Sequence, residues 1–385
     1  MEQRSKPRRP DKPRSEMTTT EYVLQRGKYM TRRASFRVGL AAIGGGLAVR
    51  ALSSPAVARV LPADVEAWGA FRERFVENGR VVDTGNGGVS HSEGQGTGLL
   101  AAAHTGDRQS FETLYAWTRD TLSRPADHLH AWRYQPNASN HVDDLNNATD
   151  GDLLITLALF TAAARWNNPT YHAEAMTMAR DIARVLVRQT PYATVLLPGS
   201  MGFTDGASVT VNPSYYILPA IRQISMEMPS PIWDRVWNDG LKLLRIARFG
   251  QWNLPPDWLT LAPDGKISLA EKWPTRFSFD AVRVPLYMCW GGYAYDPVVD
   301  SIEAYWTSQN RDDIPAWIDL AKPVVAPYRQ TPGMTAIRQY VNAARTQSFS
   351  PKSFPPVSSA SDYYSAALIL LVQIAVASSE IGAAV

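Results

Sequence analysis

The sequence predicts an all-α fold interrupted by a few short hairpins, and three observations support this. Apolar residues recur at helical spacing in about a dozen separate segments. The strand-like runs are short and lie beside glycine-rich or turn-forming stretches. Dinucleotide-type strand–helix alternation, a phosphate loop and a fixed-length repeat are all missing from the sequence.

In chain order, helices are expected over 63–76, 94–104, 108–122, 150–166, 171–188, 213–226, 231–248, 280–290, 297–308, 314–321, 334–346 and 361–378. The second follows His91-Ser92-Glu93-Gly94-Gln95-Gly96-Thr97-Gly98, where glycines raise the helical backbone cost before Leu99–His104 resumes ordinary helix formers. The fourth opens at Asp150, with Thr149 as its cap and Leu153, Ile155, Leu157, Leu159 and Phe160 as its apolar positions. In the fifth, Ile182, Val185 and Leu186 follow Ala179 at helical spacing. Val195–Leu197 and Ser208–Val211 read as strands flanking Gly199–Gly206. Trp258–Leu261 and Lys266–Leu269 flank Ala262-Pro263-Asp264-Gly265, a hairpin signal. The last apolar run, Ala366–Ala377, contains Gln373 and is too short to span a bilayer, so a buried closing helix is expected.

Residues 1–58 read as an export signal rather than as fold. Thr31-Arg32-Arg33-Ala34-Ser35-Phe36-Arg37 precedes a mild apolar run, Val38–Val49, and Ala56-Val57-Ala58 supplies a small-residue cleavage pattern after Ala58. The paired arginines suggest twin-arginine export, with the general secretory route still open. The polar, proline-rich stretch before Met30 suggests that synthesis begins at Met17 or Met30. The leader holds 12 Lys/Arg against 4 Asp/Glu, and with a whole-chain charge of +3 this leaves −5 on the remainder. The basic balance therefore belongs to the leader, and neither a nucleic-acid nor a membrane partner is expected once it is removed. Residues 59–385 are expected to form one domain, periplasmic or secreted, whose single cysteine, Cys289, lies in an apolar stretch and forms no internal disulfide. All 12 tryptophans lie after residue 58, an aromatic content that suits sugar recognition as well as core packing.

Three acidic motifs can carry chemistry: Glu93 in Ser-Glu-Gly-Gln-Gly, Asp150 in Asn-Asn-Ala-Thr-Asp-Gly-Asp at 146–152, and Asp280 in Phe-Asp-Ala-Val-Arg-Val at 279–284. Each carboxylate stands at a helix start, which stabilises its charge and can aim it into a cleft. Asp280 and Arg283 are three apart on one helix face and can pair. Two carboxylates are the minimum machinery for cleaving a glycosidic bond, although spacing alone leaves capping and ion pairing as alternatives. His128 and His130 lack partners at metal-ligand spacing, and the acidic run 143–152 lacks the terminal Glu of a calcium loop. No metal and no cofactor is expected.

Taken in order, Ser-Glu-Gly-Gln-Gly at 92–96, Asn-Asn-Ala-Thr-Asp-Gly-Asp at 146–152, Asn-Pro-Ser-Tyr at 212–215, Leu-Pro-Pro-Asp-Trp at 254–258 and Phe-Asp-Ala-Val-Arg-Val at 279–284 resemble glycoside hydrolase family 8, within it the bacterial endo-β-1,4-glucanases linked to cellulose synthesis. The resemblance covers residues 65 to 375. It implies an (α/α)6 barrel with short hairpins on the cleft side, and inverting hydrolysis of β-1,4-glucan without a metal. It implies Glu93 as general acid, Asp280 as base and Asp150 as the acid that holds the sugar, a nucleophile or base role having also been read onto Asp150. Arg283 would position Asp280 and lower its pKa. Tyr215 would lie near the cleaved bond, with Trp132 and Tyr363 or Tyr364 lining the cleft. The glycines around Glu93 would clear space for a glucan chain. Phe279 stands where many members carry Tyr, Leu99-Leu100 where a methionine or aromatic is common, and Thr156 where Ala is usual. The β-glucan is the expected substrate and the cellulose-synthesis machinery a candidate partner. Mixed-linkage glucan, xylan, chitosan, or a non-catalytic glucan-binding role are the alternatives.

Overall fold

A computed structural model describes residues 60–310, 313–348 and 354–382. The expected export signal, residues 1–58, lies outside the described residues. Among the described residues there are eleven α-helices: α1 (Pro62–Phe75), α2 (Ser92–Thr105), α3 (Arg108–Leu122), α4 (Thr149–Trp166), α5 (Pro169–Asp181), α6 (Leu218–Glu227), α7 (Pro231–Ile246), α8 (Val284–Trp290), α9 (Pro297–Ser308), α10 (Pro332–Thr346) and α11 (Tyr363–Gly382).

Contacts between helices sort them into two layers, and three of the inner ones are buried on every side. Every residue of α2 from Gly94 to His104 is buried, as are Val284–Cys289 of α8 and Ser365–Ala377 of α11. Helices enclosed on all sides belong inside a larger assembly. The inner helices form a closed ring, with α2 packing on α4, α4 on α6, α6 on α8, α8 on α11 and α11 back on α2. Around them lie α1, α3, α5, α7, α9 and α10, each burying one stripe. In α3 the stripe is Phe111, Leu114, Tyr115, Thr118 and Leu122. In α7 it is Trp233, Val236, Gly240, Leu241, Leu243 and Leu244. Among the described residues this is the expected two-layered (α/α)6 architecture less one inner helix, with five helices in the ring and six around it. The closing helix α11 is buried as expected, and among the described residues no helix is long and apolar enough to cross a membrane.

Several boundaries differ from the sequence expectation. The helix expected at 314–321 does not form. Ile318–Asp319 is a strand, β12, paired with β11 (Arg276–Phe277), while Pro315 and Ile318 bridge to Arg329 and Val325. Pro315 and Pro323 bracket the segment, and the ladder satisfies its backbone in place of helical bonds. Helix α5 stops at Asp181. A π-turn, Ile182–Leu186, leads into β5 (Val187–Gln189), which pairs with β6 (Thr194–Leu196). Thr149 is the first residue of α4 rather than its cap, and its hydroxyl donates to the Leu197 carbonyl at 2.6 Å. The expected starts at 213 and 280 are 3₁₀ turns, Pro213–Tyr215 and Ala281–Arg283, ahead of α6 and α8.

The hairpins lead into the inner helices. Strand β1 (Val76–Glu77) pairs with β2 (Arg80–Val81) after α1, and β3 (Ser90–His91), immediately before α2, pairs with β4 (Arg133–Tyr134). A four-stranded antiparallel sheet joins β7 (Thr204–Asp205), β8 (Ser208–Val211), β9 (Leu259–Leu261) and β10 (Ile267–Leu269), with Leu261 opposite both Val209 and Ile267. The β9–β10 turn is the one expected at 262–265. Through β8, β9 and β11 these strands hold the approaches to Tyr215, Asp257 and Asp280.

Candidate active site

The starts of α2 and α4 lie side by side because two glycines allow it. A Cβ on Gly151 would stand 2.2 Å from Ser92 Oγ and 2.7 Å from the Glu93 amide nitrogen. A Cβ on Gly96 would stand 2.7 Å from Leu154 Cβ and 3.1 Å from the Gly151 carbonyl. Both are closer than packed atoms approach. The glycines therefore admit protein, not glucan, which corrects the expectation that they clear room for substrate. The result is that Glu93 and Asp150 become neighbours, each the second residue of its helix. Gln95 fixes the same helix from its other side, accepting from the Val81 amide at 2.5 Å and donating to Thr118 Oγ1 at 2.7 Å.

Arg283 gathers the acids. Its Nη1 donates to Glu93 Oε1 and lies 3.5 Å from Asp150 Oδ2. Its Nη2 donates to Asp280 Oδ1 at 2.6 Å and to Ser214 Oγ at 3.1 Å, and Ser214 Oγ donates to Asn212 Oδ1 at 2.8 Å. The side chains of Arg283 and Asp150 are each 3% exposed, whereas those of Glu93 and Asp280 are 29% and 27% exposed. Glu93 and Asp280 therefore reach the open side, and Asp150 and Arg283 form the floor.

Burial sets the electrostatics. It disfavours charge on Arg283, but the fields of Glu93, Asp280 and Asp150 outweigh it and hold the guanidinium protonated. Burial, then the charge of Glu93, pushes the Asp150 carboxyl well above the usual range, against the pull of Arg283. Asp280 is raised too. Arg283 lowers its pKa as expected, but burial outweighs that pull and the net shift is upward. Behind Asp280, burial and the Asp280 charge push Asp257 up to about 7.

The remaining expected residues surround this cluster. Burial, then the Asp150 and Asp280 charges, raises the Tyr215 phenol, and its ring meets Trp258 edge-on at 6.1 Å. Burial, then the Glu93 charge, raises Tyr363, whose hydroxyl occupies the space a Cβ on Gly94 would need. Tyr364 donates to the Phe279 carbonyl at 2.5 Å, beside Asp280. Trp132 joins through its backbone carbonyl, which accepts from the Ser92 amide at 3.0 Å. Its indole N–H donates to Asp144 Oδ2 at 2.8 Å, and its ring lies parallel to His91. The hydroxyl of Thr156, the departure inside α4, donates to the Asp152 carbonyl four residues back, so it is accommodated without a new partner.

Sequence reasoning assigned no role to Asp257, Trp258, Asn212 or Ser214, although all four stand in motifs it had singled out. It also missed a near-parallel group of rings, Phe203, Trp258 and Trp273, with centroids 4.9–6.2 Å apart. Phe203 and Trp273 lie in loops that carry no motif.

Two half-buried carboxylates held on one guanidinium fit a glycoside hydrolase, which needs a pair of carboxyl groups about the bond it cleaves. The sequence profile of Glycosyl hydrolases family 8 matches residues 45–378, and the chain belongs to that family. It is 42% identical over 339 residues to the "Probable endoglucanase" of Novacetimonas hansenii, covering 87% of this chain and 97% of the relative. It is 37% identical over 273 residues to an "Endoglucanase" of Cellulomonas uda, covering 71% and 76%. The endo-β-1,4-glucanase CMCax of Acetobacter xylinum superposes with a TM-score of 0.77 at 42% identity, covering 81% of this chain and 97% of that one.

Proposed function

We propose that this chain is an endo-β-1,4-glucanase that cleaves cellulose or a related β-glucan by single displacement. The observation that carries this is the placement of Glu93 and Asp280 on the two terminal nitrogens of Arg283, with Asp150 beneath. Glu93 gives its proton to the glycosidic oxygen. Asp280 takes a proton from a water that attacks the anomeric carbon from the opposite face, so the configuration inverts. The step leaves Glu93 ionised and Asp280 protonated, and exchange with solvent resets both. Asp150 holds the sugar at the cleaved bond. Three ionised carboxylates around one guanidinium would leave two uncompensated charges in a buried site, which favours retention of one proton by the group as a whole. A bound glucan that excludes water strengthens that preference, and the proton so retained by the group is the one passed to the glycosidic oxygen.

Residues 1–58 act in this proposal as the export signal, which places the enzyme in the periplasm or outside the cell. There it meets β-glucan, and the cellulose-synthesis machinery is its proposed associate. Reducing-sugar release and viscosity, followed on carboxymethylcellulose, mixed-linkage glucan, xylan and chitosan, test the substrate. Fastest release from the β-1,4-glucan, with viscosity falling before reducing ends accumulate, is expected. Faster release from xylan or chitosan, or binding without turnover, would refute it. Fractionation of the producing cells tests the location, and enzyme retained in the cytoplasm would refute export.

A further inference from the structure

The residue at the start of a helical turn ordinarily bends its own side chain back onto the turn's free amides. Asp280 holds that position ahead of Ala281–Arg283 and makes no such bond. Its carboxylate goes to Arg283 Nη2 instead. The amides such a side chain would take, those of Val282 and Arg283, donate to the Ser278 and Asp280 carbonyls at 3.0 Å each, and a different acid holds the peptides around Asp280. Asp257 Oδ1 accepts from the Ser278 N–H at 3.0 Å and from the Ala281 N–H at 2.8 Å. These two peptides bracket Asp280, and that of Ala281 is the one directly after it. Asp257 is buried, and its own amide donates to the Arg276 carbonyl at 2.7 Å just before β9 enters the four-stranded sheet. The anchor is thus rigid while the group it anchors faces the cleft.

We propose that Asp257 is a positioning residue for hydrolysis: it pins the two peptides that bracket Asp280 and so fixes where the Asp280 carboxylate meets the attacking water. It acts through Asp280, and the proposal rests on the assignment of Asp280 as base. Without Asp257, the Ser278 and Ala281 amides lose their acceptor, and the backbone that carries Asp280 is free to shift.

The test is steady-state kinetics on cellopentaose at 25 °C. Asp257→Ala is expected to lower kcat on the order of 100-fold, the usual cost of about 1 Å of misplacement, with KM changed less than about threefold. Asp257→Asn, whose amide oxygen can accept both N–H bonds, is expected to restore most of kcat. Asp257→Glu keeps the charge but advances the oxygens by a methylene, and serves if the alanine variant fails to fold. It too is expected to lose kcat rather than KM. Because Asp257 works through Asp280, adding Asp257→Ala to Asp280→Asn is expected to cost little beyond Asp280→Asn alone. Wild-type kcat in the alanine or glutamate variant with only a lowered Tm, an asparagine variant as poor as alanine, or fully additive losses would overturn the proposal. Near-wild-type activity of Asp280→Asn would instead overturn the assignment of the base beneath it.

Discussion

Gly151→Ala gives the sharpest test of how the acids are brought together. On helix propensity alone, glycine to alanine near the start of α4 should stabilise the protein by up to about 1 kcal/mol. The packing predicts the reverse. The new methyl group would lie 2.2 Å from Ser92 Oγ, 2.7 Å from the Glu93 amide nitrogen and 2.8 Å from the Ser92 carbonyl carbon. The hydroxyl can rotate away, but the other two atoms are backbone and cannot. Reaching ordinary contact at about 3.5 Å requires the start of α2 to retreat by roughly 0.8 Å. Overpacking of this kind costs about 1–3 kcal/mol. Because Glu93 is the residue that moves, kcat should also fall on the order of 30- to 100-fold. Thermal unfolding by circular dichroism and kcat on cellopentaose read the two effects. Gly69→Ala is the control. It lies in α1 with nothing within 4 Å of its new methyl group, and is expected to hold or raise Tm and leave kcat alone. A Gly151→Ala enzyme with wild-type Tm and kcat would show that the two helices are not held in contact there.

Other substitutions separate the acids. Glu93→Gln and Asp280→Asn should each lose on the order of 10²–10⁴ in kcat on carboxymethylcellulose while keeping the wild-type circular dichroism spectrum; wild-type turnover in either would remove it from the mechanism. Asp150→Asn should lower kcat but hold or raise Tm, because a neutral isostere relieves the burial that raises this carboxyl; a marked fall in Tm would contradict that. Arg283→Met should cost about 3–5 kcal/mol of stability by stranding the acids without their cation. Arg283→Lys keeps the charge but cannot span Glu93 and Asp280, so denaturant unfolding should show a smaller loss and kinetics a large fall in kcat. The Asp257 carboxyl ordinarily ionises near 3.8 and is pushed up to about 7 here. Between those values the folded state keeps a proton that the unfolded chain releases, so this group makes Tm fall as pH rises through that window. Asp257→Asn should flatten the fall, and an unchanged slope across the window would contradict it. The raised Asp280, which must be ionised to act as base, should place the acid limb of kcat/KM above the ordinary aspartate range.

The acids were legible in the sequence because each stands in a short polar motif at the start of an apolar helix. Asp280 and Arg283 were legible as a pair because three residues of helical turn bring them together. The central place of Arg283 was not legible, since its reach to Glu93 spans 190 positions and depends on the closed inner ring. The role of the glycines was misread for the same reason: sequence shows that a backbone can be approached, not what approaches it. The missing helix at 314–321 had a helical pattern, but pairing of Ile318 with Phe277, 41 positions earlier, decided its conformation. Asp257 stood in a motif already marked, yet its function depends on amides at 278 and 281, and hydrogen bonds to backbone leave no trace in residue pattern.

The stereochemistry of the first product tests the central claim most directly. Cellohexaose mixed with the enzyme in an NMR tube shows the anomeric protons of new reducing ends before they mutarotate. Attack by water held on Asp280, opposite Glu93, predicts that the α-anomer appears first and the β-anomer grows in later. An initial β-anomer would require a covalent intermediate, and with it a nucleophile among these three acids in place of a base.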